Sequence, residues 1–142
     1  MKAVFFETED WQENYLKEKL AKIELSFFTE PLSLENIGSA KGHEIISPFV
    51  YSKMNKDILQ KLPDLKVIAT RSTGFDHVDI ATAKEKNIVV CNVPFYGENT
   101  VAEHTFALIL ALSRRLPDSV WRAKSGDFSL DGLRGFDLKG KT

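Results

Sequence analysis

Cysteine is nearly absent from this chain. Cys91 stands alone, so no internal disulfide can form, and its place in the apolar run Ile88 to Val93 marks it as a buried core thiol in a reducing compartment. An excess of charge of one sign is missing too. Lys and Arg number 19 against 20 Asp and Glu, a formal net charge of −1, so no basic face invites nucleic acid or an anionic membrane. The longest apolar stretch, Phe106 to Leu112, falls far short of the ~20 residues that cross a bilayer. The opening MKAVFFETED passes from a short apolar run straight into acids, unlike a signal peptide, which points to a cytoplasmic protein. His43, His77 and His104 lack metal-ligand spacing, and with one cysteine and no H-E-x-x-H no metal site is expected. Repeats and low-complexity tracts are also lacking.

What is present fits one globular domain. With 43% hydrophobic and 27% charged residues, a chain of this length buries roughly two-thirds of its unfolded surface and folds without staples. Short apolar runs at Lys2 to Phe6, Ile23 to Thr29, Glu44 to Phe49, Lys66 to Thr70 and Ile88 to Val93 alternate with helix-like segments, the pattern of βαβ crossovers and a parallel sheet. The last two runs are apolar throughout, which predicts cover on both faces. Asp10 with Glu13 reads as a capping box, followed by Trp11, Tyr15, Leu16 and Leu20 at helical spacing as the face for the sheet. A short helix is expected around Leu32 to Ile37. Asn55 is placed to cap Lys56 to Leu62, and Asp76 to cap Val78 to Lys86. Thr100-Val101-Ala102-Glu103 reads as a second capping box opening a helix to Leu116, where Pro117 ends it. That helix is apolar on every side from Phe106 to Leu112, which demands burial on several sides. Residues 117 to 142 read as a short helix near Asp118 to Lys124 and then linker.

Two polar turns fall at carboxyl ends of strands, Arg71 to Asp76 after the fourth and Pro94 to Asn99 after the fifth. In open α/β sheets the crevice beyond those ends takes the ligand, so both turns should overlook one pocket for a small molecule. Ser72-Thr73-Gly74 is a strand-to-helix turn of the kind that aims backbone N–H groups into a crevice and binds a carboxylate without a cation. The plain alternative is that Gly74 only permits a positive φ and Asp76 only caps a helix. Tyr96 lies at the crevice as a pocket residue or as a loop tyrosine packed under Pro94, and Phe49 as pocket wall or plain core. Arg71 either steers an anion or pairs with Asp76 or Asp79, the commoner fate of an arginine beside two acids. His104, in the first turn of the long helix, is expected to be structural.

RSTGFDHVDI followed by NIVVCNVPFYGENTVAEHTFALILALSRR resembles the amino-terminal part of D-isomer-specific 2-hydroxyacid dehydrogenases, and within them it is most similar to NAD-dependent D-lactate dehydrogenases. The resemblance implies a flavodoxin-like, doubly wound parallel α/β sheet in the order 2-1-3-4-5, with a long C-terminal helix. Residues 1–100 would form the substrate domain. Residues 101–142 would be an interdomain helix and linker leading to a Rossmann dinucleotide-binding domain, for which none of the eight glycines supplies a G-x-G-x-x-G. It further implies that the Thr73 and Gly74 amides hold a substrate carboxylate and that Tyr96, in an NVPxY motif, contacts substrate, with Phe49 as a weaker member of the pocket. The catalytic histidine, glutamate and arginine, and the NAD site, would lie past Thr142, so the chain alone is expected to be inactive and to bind no cofactor. The substrate would be a small 2-keto or 2-hydroxy acid. A homodimer through the Val101 to Leu116 helix is expected to cover its apolar surface.

Fold alone decides nothing, since the same sheet serves flavodoxins and receiver domains. Flavodoxin needs a phosphate loop where this chain has Glu7-Thr8-Glu9-Asp10. A receiver needs a phosphoacceptor Asp after the third strand and a lysine after the fifth, where Ser47-Pro48-Phe49 and Val93-Pro94 stand. A third alternative is a non-enzymatic folding or peptide-binding module, like corepressor-type relatives of the superfamily.

Overall fold

The computed structural model describes residues 1–141. The chain divides into two compact units, Met1–Tyr96 and Gly97–Thr142. The first carries a parallel sheet of β1 (Lys2–Phe5), β2 (Glu24–Phe27), β3 (Ile45–Ser47), β4 (Val67–Ala69) and β5 (Val89–Cys91), in the order β2-β1-β3-β4-β5. This is the expected order. Because the chain moves one way from β1 to β2 and the other way from β3 to β5, right-handed crossovers send α1 (Asp10–Lys19) to one face and α2 (Lys56–Gln60) and α3 (Ile80–Glu85) to the other.

The two faces are unequally covered. Val4, Ile46 and Ile68 are fully buried and in register, and with Phe6, Met54, Ile58, Leu59, Leu62, Val78 and Ala83 they make the core beneath α2 and α3. Full burial of each such aliphatic side chain stabilises the fold by about 1.5–3 kcal/mol. On the opposite face Ala3 and Phe5 are buried, Ile45 and Val67 half-buried, and Val89 57% exposed. β5 is thus an edge strand with an open face, and Cys91, expected in the core, is exposed. An apolar run implies cover on both faces only where a neighbouring element supplies it. α1 supplies little: it has no buried residue, and Trp11 and Tyr15, expected against the sheet, are exposed.

Helix starts differ from the expected ones in a consistent way. α1 is capped by Glu9 with Gln12 as the reciprocal partner, one residue before the Asp10–Glu13 box. Asp79, not Asp76, caps α3 by accepting from Thr82 N at 2.9 Å. Asn55 caps α2 as expected, accepting from Ile58 N at 3.1 Å. The short helix expected at Leu32 to Ile37 is a single 3-10 turn, Ile37–Ala40.

In the second unit the N-cap of α4 (Glu98–Ser113) is Gly97, three residues before the expected cap at Thr100. Pro117 does not end this helix; it sits in the first turn of α5 (Leu116–Lys124), where its missing N–H costs nothing. The break is made by Arg115, held at φ 53°. Gly135 passes so close to the end of α4 that a Cβ there would collide with Ser113 O, and Phe136 N donates to the same oxygen at 2.9 Å. No helix among the described residues is long and apolar enough to cross a membrane.

Candidate functional site

The carboxyl ends of β1, β3, β4 and β5 are tied together by a polar network. β4 runs out through Thr70, whose N donates to Cys91 O at 2.9 Å, and Arg71 N donates to Pro48 O at 3.2 Å beside the end of β3. The chain then turns: Thr70 Oγ1 and Ser72 Oγ share a hydrogen bond of 2.7 Å, and Ser72 Oγ lies 2.7 Å from Gly74 O. Beyond β5 the segment 92–93 grips the same turn. Asn92 Nδ2 donates to Thr73 O at 2.9 Å, Thr73 Oγ1 donates to Val93 O at 2.9 Å, and Val93 N donates to Ser72 O at 3.1 Å. Every carbonyl and hydroxyl of Ser72 and Thr73 is thereby occupied by the fold.

The amides of Thr73 and Gly74 are not. Both residues are exposed, and their N–H groups find no acceptor among the described residues. Gly74 is not at positive φ, and a Cβ on it would meet only Asp76 Oδ2 at an ordinary 3.7 Å. Neither half of the plain reading therefore accounts for this turn: the backbone does not require glycine at 74, and Asp76 caps no helix. Apart from Asp76 Oδ2, a side chain at 74 would enter open space.

Phe49 is half-buried after β3, its N donating to Glu7 Oε2 at 3.1 Å, and the Arg71 guanidinium carbon stands 5.9 Å from its ring centroid. Tyr96 is 66% exposed at the end of the first unit, and no hydrogen bond joins it to the Thr73–Gly74 turn. The structure therefore ties Ser72 and Thr73 to the β5 exit by direct bonds, with Gly74 next in the turn, and Phe49 through Arg71, while Tyr96 makes no hydrogen bond to the turn.

Arg71 does not take the commoner of its two expected fates. It pairs with neither Asp76 nor Asp79; Nη1 donates to Ser47 O at 2.8 Å and Nη2 to Phe6 O at 2.6 Å and Glu7 O at 2.9 Å. Burial pulls its guanidinium below the ordinary arginine range, with the Glu7 charge opposing. Glu7, Ser47 and Asn92 were missed by sequence reasoning. Glu7 had one signal, an acid directly after a strand, which suggested phosphate repulsion and not a structural role.

No cluster of ligating side chains able to hold a metal occurs among the described residues. Nor do they fit a dinucleotide: the turn after β1 is Glu7-Thr8-Glu9, acidic where a pyrophosphate would need bare amides.

Exposed amides at a strand-to-helix turn, at the carboxyl end of a doubly wound parallel sheet, are the kind of group a small anion would need. The comparisons with known proteins give the family. The family described as D-isomer specific 2-hydroxyacid dehydrogenase, catalytic domain, matches residues 3–129, and the chain belongs to it. It is 35% identical to a 2-hydroxyacid dehydrogenase homolog of Haemophilus influenzae and 34% identical to D-lactate dehydrogenase of Escherichia coli. All of this chain is covered in both cases, and it spans 44% of each of those proteins. The crystal structure of D-lactate dehydrogenase from Aquifex aeolicus, complexed with NAD and lactic acid, superposes with a TM-score of 0.90 at 38% identity, covering 96% of this chain and 41% of that one.

Proposed function

We propose that this chain is the substrate-binding part of a longer cytoplasmic NAD-dependent oxidoreductase that interconverts a D-2-hydroxyacid, D-lactate foremost, and its 2-keto acid. The observation that carries the reading is the pair of exposed N–H groups at Thr73 and Gly74 that find no acceptor, beside the satisfied carbonyls and hydroxyls of Ser72 and Thr73. A carboxylate is the ligand such a pair asks for: hydrogen bonds to a charged group contribute about 1.5–3 kcal/mol each, and no cation need be stripped of water to supply them. In this reading Arg71 does not hold the carboxylate, since both of its Nη atoms donate to carbonyl oxygens.

In this reading Phe49 walls the pocket against a small aliphatic side chain, and Tyr96 closes it or donates to the substrate. The residues present do not fit NAD, so the dinucleotide site and the acid, base and cation of the reaction belong to a part of the protein beyond these residues. What this chain contributes is position: it fixes the carboxylate so that C2 of the substrate is presented in one orientation. The relatives named D-lactate dehydrogenase support the substrate class. A homodimer buries the apolar surface of α4.

The test is an enantiomer-resolved assay. The protein extended past Thr142 is expected to reduce pyruvate with NADH to D-lactate, while the 142-residue chain gives no pyruvate-dependent loss of NADH. An L-product, or turnover by the short chain, would overturn the assignment.

A further inference from the structure

The two sides of the crevice stand on different strands: the free amides follow β4, and Phe49 follows β3. Two backbone hydrogen bonds join the loops further out, Met54 N to His77 O at 2.8 Å and Asp79 N to Met54 O at 2.9 Å. At the crevice itself one backbone bond, Arg71 N to Pro48 O at 3.2 Å, is joined by two side chains. Arg71 reaches across the ends of β3 and β1, with Nη1 on Ser47 O and Oγ and Nη2 on Phe6 O and Glu7 O. The acceptors lie on two different strands, so a planar fork is required, and a single ammonium cannot serve both.

Glu7 completes the link. It is held at φ 57°, and its carboxylate accepts from Phe49 N at 3.1 Å, Tyr51 N at 2.8 Å, Ser52 N at 2.9 Å and the Ser52 hydroxyl. Its own carbonyl oxygen is one of the two that Arg71 Nη2 grips. The two charged groups form no ion pair with each other. Each spends its charge on backbone, and Glu7 is the residue they share. Moving the guanidinium therefore moves the Glu7 backbone, and with it the loop that carries Phe49.

We infer that Arg71 and Glu7 are a positioning pair that holds the Thr73–Gly74 amides and the Phe49–Ser52 loop in fixed register, and so sets how tightly a 2-keto acid fits between them. The inference rests on the proposed carboxylate site for its ligand, but the coupling itself is measurable without one. It differs from a purely structural role, in which each side chain would stabilise its own loop, and from a direct cation role, in which Glu7 would be irrelevant to binding.

The experiment records amide ¹⁵N–¹H spectra of the 142-residue chain as wild type, Arg71→Met, Arg71→Lys, Glu7→Gln and the Arg71→Met/Glu7→Gln double variant, free and with added pyruvate. In the free chains Glu7→Gln is expected to shift the Thr73 and Gly74 resonances, and Arg71→Met those of Tyr51 and Ser52. With pyruvate, Arg71→Met raises Kd about tenfold, Arg71→Lys recovers part of the loss, and the double variant is no worse than Arg71→Met alone. If Arg71→Met fails to fold, Arg71→Lys and Glu7→Gln carry the same comparison. Shifts confined to each variant's own loop, or losses that add, overturn the pairing; a Kd that responds to Arg71 but not to Glu7 makes Arg71 a direct ligand and overturns it equally. Coupling in the free chain without any response to pyruvate leaves the pair standing and removes the carboxylate site instead.

Discussion

Gly74 has room for a side chain and no conformational need to lack one, which separates its folding role from its binding role. Gly74→Val is therefore expected to melt close to wild type while losing affinity for pyruvate by the worth of one charged hydrogen bond, about 1.5–3 kcal/mol. Tyr96→Phe, tested in the extended enzyme, should raise KM for a small 2-keto acid; unchanged values for both variants would contradict the pocket. Asp79 supplies a pH test of a different residue. Its carboxylate is held below the usual range by the Thr82 N–H and then by the Thr82 hydroxyl. A depressed folded pKa means that the stabilisation is present above the unfolded pKa and is lost as pH falls through the folded one. Asp79→Ala should thus melt below wild type at neutral pH, with the gap closing in acid; a gap independent of pH would sink the capping account. At this scale the turn at Thr73 and Gly74 stood out because glycine turns after strands are local chemistry, while its carboxylate role was implied by the resemblance. Arg71 was not, because its partners lie on β1 and β3, far away in sequence.

α4 is the element whose sequence and surroundings disagree most. Val101, Phe106, Leu108 and Leu112 are 53–71% exposed, on a helix apolar enough to have been expected buried on several sides. A patch of that kind on a lone chain favours association, and light scattering of the 142-residue chain should give twice the monomer mass at micromolar concentration. Introducing Lys at Leu108 and Leu112 should return it to monomer; a wild type monomeric at high concentration would leave the dimer without support. Elements as such were well marked, since all five strands fall inside their expected runs. Their ends were not, because caps are chosen by side-chain geometry among nearby polar residues: Glu9 won over Asp10 and Asp79 over Asp76, while α4 starts after Gly97 with no side-chain cap at all. The stop expected at Pro117 failed for a related reason, since proline is tolerated in a first turn and the break fell to Arg115.

At the scale of the whole molecule, a parallel sheet followed from the alternation of apolar runs and helical segments, and its order from the resemblance together with the handedness of crossovers. Cover on the faces did not, because it depends on what lies against β5, which no local pattern records. Function follows the sheet: all of the polar apparatus described lies at the carboxyl ends of the strands, where two loops and one turn converge. The central claim is that this end receives a carboxylate on the Thr73 and Gly74 amides, and the most direct measurement is an amide ¹⁵N–¹H titration of the wild-type chain with oxamate, a non-reacting analogue of pyruvate. Saturable shifts largest at Thr73 and Gly74, with smaller ones near Phe49 and Tyr96, are the predicted result; a spectrum unmoved at those two amides, or moved only elsewhere, would contradict it.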